Sequence, residues 1–188
     1  MMIENENINV VVRRQEWLMP SFVVVLYALL QAKFFIFMMN LKSFGLEKNA
    51  FVVFNVIFFL VFVLSAIIVW IILSLVCHWT ALLFDGAADF KNFLFFSGYG
   101  FGAIAITYLV VLFVYMTGIP KGLAIEQMQQ DESFNSALVL INIGFMMYYV
   151  WVVYAVYFLH KLSIAKSIAS VACPMLLYFI LTQLFSYI

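Results

Sequence analysis

Charge is what this chain has least of: only 10% of its 188 residues are Asp, Glu, Lys or Arg, and its nine acidic and nine basic side chains cancel. A soluble domain needs a charged, hydrated shell, so this scarcity excludes one. There is also no basic cluster interleaved with aromatics, which removes the electrostatic footprint of nucleic-acid binding. Cysteine is sparse too. Cys77 and Cys173 make neither a disulfide framework nor a zinc-ligand spacing, and both lie in or beside apolar runs, where small core residues are expected. The chain has no G-x-S-x-G, no H-E-x-x-H, no phosphate-binding loop and no pair of carboxylates inside an apolar run. Nucleophilic, metal-dependent and phosphoryl-transfer chemistry therefore lack their parts, and no catalytic residue, metal or cofactor is expected.

What the chain has in abundance is apolar length: 68% of its residues are hydrophobic, arranged in runs long enough to cross a bilayer. The expected fold is an all-α membrane protein, a five-span helical bundle with short loops. Its spans are predicted at about 17–41, 51–76, 93–116, 136–159 and 167–188, a single transmembrane domain behind a short polar segment, 1–16. The first apolar run starts too late and runs too long for a cleavable signal peptide, so it is expected to be retained. Pro20 falls in its first turn, where a missing N–H matters little. The run from Ala50 to Phe84 exceeds one crossing and must bend or surface. The segment "CHWTALLF" is predicted to emerge at the interface with Trp79 at headgroup depth. Asp85-Gly86 then reads as a turn, and Asp89 as the N-cap of the next helix. Further on, "TGIPKG" ends span three, and "GLAIEQMQQDES" is expected to lie on the surface through Leu123, Ile125 and Met128. Pro174 is expected to kink the last span. Five crossings put Arg13, Arg14, Lys91, Lys161 and Lys166 on one side against Lys42, Lys48 and Lys121 on the other. That balance predicts a cytoplasmic N-terminus, with the C-terminus on the opposite side.

Few polar side chains interrupt the spans. Lys33 sits about two turns from Asn40, close enough for its stem to snorkel to the interface. Asn55, Asn142 and Thr107 read as interhelical hydrogen-bonding groups. The alternative is a polar path for a small solute or ion, using Gln31, Lys33, Asn55 and Asn142. Gly98 and Gly102, at the four-residue spacing that lets helices approach closely, are predicted to pack within the chain, as are Ser163, Ser167 and Ser170; self-association is the alternative. His78 and His160 end spans two and four and are expected to come together near Asp85 and Asp89. Such a set can bind a metal or relay a proton, but its spacing matches no ligand motif.

The stretch "HWTALLFDGAADFKNFLFFSGYG", residues 78–100, resembles the Yip family of Rab-interacting membrane proteins. There a span ends in a histidine, an amphipathic segment and a glycine turn follow, and a Gly-Tyr stands near the start of the third span. Here His78, Ala81, Gly86, Phe90, Gly98 and Tyr99 occupy those places, and in "KLSIAKSIASVACPMLL" Lys166-Ser167 and Pro174 match a Lys-Ala and the proline after it. The resemblance runs from about Val69 to Leu177. Asp85-Gly86 replaces a glycine pair, Ala87-Ala88 replaces a more polar link, and no proline follows Gly-Tyr. The long cytosolic N-terminal region of eukaryotic members is missing, so a prokaryotic relative is expected. The resemblance implies five spans, a cytoplasmic N-terminus and no enzymatic activity. Eukaryotic relatives recruit small GTPases and shape vesicle membranes; some prokaryotic ones accompany ABC-type exporters. The expected function is therefore a non-catalytic scaffold or accessory subunit for a membrane transport, export or trafficking partner. The expected partners are the lipid bilayer and either another integral membrane protein, such as an ABC-type exporter, or a second copy. The elbow residues His78, Trp79, Asp85, Gly86, Asp89 and Phe90 are the expected docking place.

Overall fold

The structure, a computed structural model, describes residues 18–39, 48–115 and 131–186. The polar segment 1–16, the breaks around Lys42 and Lys121, and the stretch holding Leu123, Ile125 and Met128 fall outside the described residues. Within them the chain forms α1 (Leu18–Met39), α2 (Lys48–Leu83), α3 (Phe90–Gly98), α4 (Phe101–Tyr115), α5 (Glu132–His160) and α6 (Ile164–Ser186). No strand occurs among the described residues. Four stretches are long and apolar enough to cross a membrane: Leu18–Met38, Ala50–Leu83, Phe90–Val114 and Glu132–His160. A shorter apolar stretch, Ile164–Leu176, opens α6. Helix is what such sequences must form, because hydrocarbon offers no partner to an unpaired backbone group. The chain is an all-α, multi-pass membrane protein.

The helix bounds add two findings to the sequence reading. The second apolar run, "CHWTALL" included, is one helix of 36 residues, α2. At 1.5 Å per residue it is about 54 Å long, against about 30 Å for a hydrocarbon core. It contains neither glycine nor proline, so nothing in it can stop the helix before residue 83. The third span, in contrast, is interrupted. It begins at Phe90, stops at Gly98 and resumes at Phe101, in a stretch where Gly98, Gly100 and Gly102 weaken helix propensity. The Gly100 N–H donates to Ser97 O at 3.0 Å, tightening the final turn of α3.

The chain divides into two compact units, one drawn from residues 1–22, 69–100 and 149–188 and the other from 23–68 and 101–148. The second is built around rings. Buried Val24, Tyr27, Ala28, Phe34 and Met38 on α1, and Phe101, Ile104, Ala105, Tyr108 and Val111 on α4, recur at helical spacing. Tyr27 lies 5.2 Å from Phe101 and 6.0 Å from Tyr108, and Phe34 lies 5.7 Å from Tyr108, centroid to centroid. Phe101 also meets Tyr148 at 4.8 Å. Gly144 lets α5 approach α4: a Cβ there would run into the Thr107 hydroxyl and come within 3.2 Å of the Ile104 Cα. The first unit holds the candidate site.

Candidate functional site

The site begins with a stripe on the last turns of α2. Trp70, Ser74, Cys77, His78 and Ala81 recur at three- and four-residue spacing and are buried, while Ile71, Ile72, Trp79, Leu82 and Leu83 face outward. Polar groups turn in and apolar ones turn out, as a lipid solvent requires.

A Schellman turn ends the helix: the Gly86 N–H donates to Ala81 O at 2.9 Å and the Asp85 N–H to Leu82 O at 3.1 Å. That motif places one residue in the left-handed region, usually glycine, and here it is Asp85 with φ 71°. The Lys166 Nζ donates to Phe84 O and to Asp85 Oδ2, each at 3.1 Å, setting a positive charge against the negative end of the α2 dipole. Gly86 is fixed by space. A Cβ there would collide with His160 Nδ1 and lie 2.7 Å from Ala81 O.

His160, the last residue of α5, is 1% exposed, and His78 is 6% exposed. The Ala88 N–H donates to His160 Nδ1 at 3.4 Å, so a neutral His160 carries its proton on Nε2. From there it donates to His78 Nδ1, 3.3 Å away. Phe90 and Phe93 wall the pair: the His78 ring is 5.3 Å from Phe90, and Phe93 meets His160 edge-on at 5.4 Å. The two imidazoles therefore join three chain segments: α2, α5 and the link 84–89. Asp85 and Asp89 remain exposed outside this pair. Among the described residues, no group of three or more His, Cys, Asp and Glu is placed to hold a metal. Asp89 occupies the N-cap position of α3, but its side chain makes no capping bond, contrary to the expectation; its backbone oxygen accepts from the Phe93 N–H at 3.1 Å.

α3 is short, and side chains bond the carbonyls of its last turns, Phe96 O being one that the interruption frees. The Trp70 indole N–H points between Leu94 O at 3.0 Å and Ser97 Oγ at 3.1 Å, and the Trp151 indole N–H donates to Phe96 O at 2.8 Å. Ser97 donates to Leu94 O at 2.8 Å and accepts from Ser74 at 2.7 Å. Gly98 sits against both walls, since a Cβ would come within 2.9 Å of Pro20 Cβ and of Trp70 Cζ2. Gly102 is different: a Cβ there would meet Val23 Cγ1 at an ordinary 3.6 Å. On α6, Ser167 and Ser170 are fully buried, and Ser170 O accepts the Thr80 hydroxyl at 2.6 Å. Ser163 does not join that surface. It is exposed, and its Oγ caps α6 by accepting the Lys166 N–H at 3.4 Å.

The four residues of the alternative polar path are not brought together. Gln31 is hydrogen-bonded to Tyr27 and to Tyr108, and Asn55 is half-buried with its Oδ1 unpartnered. Lys33 and Asn142 face outward from their helices. Sequence reasoning missed Trp70, Ser74, Ser97 and Trp151. The signal for the first two was present: Trp70, Ser74 and His78 follow one another every four residues on an otherwise apolar helix.

Comparison with curated proteins and with solved structures finds no match. The sequence model of the Yip1 domain, by contrast, matches residues 5–185. That match spans nearly the whole chain and takes in both the histidine-to-glycine elbow and the apolar helices that carry it, so the chain belongs to the Yip1-domain family.

Proposed function

We propose that the protein is a non-catalytic scaffold or accessory subunit for a membrane transport, export or trafficking partner, and that it docks that partner on the elbow. One observation carries this reading. Asp85 stands in a left-handed conformation that glycine would adopt at less cost, and its side chain is 90% exposed. Strain kept at an exposed position is an argument for function there. The ion pair with Lys166 offers little compensation, because exposed pairs contribute about 0–1 kcal/mol. Trp79, 61% exposed, and Leu83, 82% exposed, stand out from the turns just before it, giving a partner an aromatic anchor and an acid on one rigid support. His78, Gly86 and Phe90 hold that support from within, and Asp89 adds a second carboxylate beside it.

In this reading residues 17–188 form a single transmembrane domain with a cytoplasmic N-terminus and the C-terminus across the membrane. The loop charges support that orientation, in which the elbow lies on the cytoplasmic side. Photo-crosslinking from position 79 in the native host, followed by mass spectrometry, tests the proposal. A reproducible membrane-protein adduct that weakens in Asp85→Gly is the expected result. A chain that crosslinks only to lipid, and purifies alone in mild detergent, would defeat it.

A further inference from the structure

Asn142 lies ten residues into α5, about 15 Å from its start and within about 6 Å of its midpoint, well inside a hydrocarbon core. It is exposed and makes no side-chain hydrogen bond among the described residues. Val139, Ile143 and Met146 flank it, themselves 60%, 45% and 68% exposed. Val139, Asn142 and Met146 follow the alternating three- and four-residue steps of a left-handed helix–helix seam, which puts Asn142 itself on the seam. Lipid chains cannot satisfy a carboxamide, so this face is a poor lipid surface and a good protein one.

From this geometry we propose that the outer face of α5 around Asn142 pairs with the same face of a second copy of the chain. The choice of a second copy follows from symmetry. A two-fold axis along the membrane normal sets two α5 helices parallel and brings every residue opposite itself at the same depth. A carboxamide carries both a donor and an acceptor, so Asn142 meeting its counterpart forms two reciprocal hydrogen bonds. A different partner would need its own polar group at a matching depth. Gly98 is not available for this role, because Pro20 and Trp70 already occupy the space over it. The proposal is independent of the docking role of the elbow.

The test uses the full chain, with donor and acceptor dyes on its amino terminus, in phosphatidylcholine–phosphatidylglycerol vesicles at falling protein-to-lipid ratio. Energy transfer is expected for the native chain and for Asn142→Gln. Asn142→Leu is expected to need about tenfold more protein for half-maximal transfer, the change one or two interhelical hydrogen bonds produce. A second measurement leaves Asn142 in place: in a Cys173→Ser background, Val139→Cys forms an oxidative crosslink to itself and Ile106→Cys, on α4, does not. A native chain that stays monomeric at every ratio overturns the proposal. So does transfer unchanged by Asn142→Leu, or a crosslink from the Val139→Cys variant that goes only to a different polypeptide from the host membrane.

Discussion

The two units of the chain solve one problem with opposite chemistries. In the unit holding the elbow, indoles, hydroxyls and imidazoles make the decisive contacts: Trp70 and Trp151 on α3 carbonyls, Ser74 on Ser97, Thr80 on Ser170, His78 on His160. In the other, rings pack on rings around Tyr27 and Tyr108, and Gln31 is a rare polar participant. The difference follows the backbone. Residues 69–100 contain a helix end, a link and an interrupted helix, each of which frees carbonyls and N–H groups that hydrocarbon cannot satisfy. The described residues of 23–68 and 101–148 are mostly helix interior, where the backbone satisfies itself and side chains need only fill space; at the start of α5, where it does not, Asp131 Oδ1 accepts the Phe134 N–H at 2.8 Å. Side-chain hydrogen bonds are concentrated where the main chain has lost its own.

The largest predicted effect breaks the polar unit at its centre. His160→Ala removes a fully buried ring and leaves both the Ala88 N–H and the His78 imidazole without a partner. A loss of about 3–4 kcal/mol is expected, measured by reversible unfolding in mixed micelles of detergent and sodium dodecyl sulfate. A loss below about 1 kcal/mol would show that the imidazole pair holds nothing together. Gly98→Ala comes next, at about 2–3 kcal/mol, because the new methyl meets Pro20 and Trp70 at 2.9 Å. The same substitution at Gly102 is expected to change sign. With only Val23 nearby at 3.6 Å, Gly102→Ala gains about 0.5–1 kcal/mol of helix propensity.

Much of this fold was legible in the sequence, for a physical reason: a membrane chain writes its spans as apolar runs. The elbow was legible in its parts, since His78, Gly86, Phe90 and Gly98 stand out against their surroundings. What they do was less legible. The histidines and aspartates look alike as donors in the sequence, yet packing buries both imidazoles and leaves both carboxylates outside. The length of α2 was less legible, because bilayer thickness limits a crossing but not a helix, and with no breaker the helix runs on to Leu83. The α3 carbonyls and their indole donors were invisible to spacing, because Trp151 is 55 positions from Phe96 along the chain.

Matched polar deletions sharpen the comparison further. Trp151→Phe keeps a ring stacked on Phe96, now 5.1 Å away, but removes the donor to Phe96 O. Because that carbonyl belongs to an interrupted helix, a loss of about 2 kcal/mol is expected by the same unfolding assay. Tyr108→Phe in the other unit removes only a bond to Gln31, in a region whose backbone is complete. A loss of about 0.5–1 kcal/mol is expected. Equal losses would mean that backbone interruption does not govern where hydrogen bonds matter.

The smallest predicted change in stability, Asp85→Gly, separates support from display. Glycine relieves the left-handed strain at φ 71°, a gain of about 1 kcal/mol, while the exposed ion pair with Lys166 is lost at a cost of about 0.2–1 kcal/mol. The net gain is about 0–0.8 kcal/mol, so the variant should be no less stable than the native chain. Lys166 keeps its bond to Phe84 O in the variant, so the turn itself persists. If Asp85 is retained for the partner, crosslinking from position 79 falls severalfold in a protein that is no less stable. If crosslinking persists and stability rises, the carboxylate serves neither fold nor partner, and the docking surface must be sought on Trp79 and Leu83 alone.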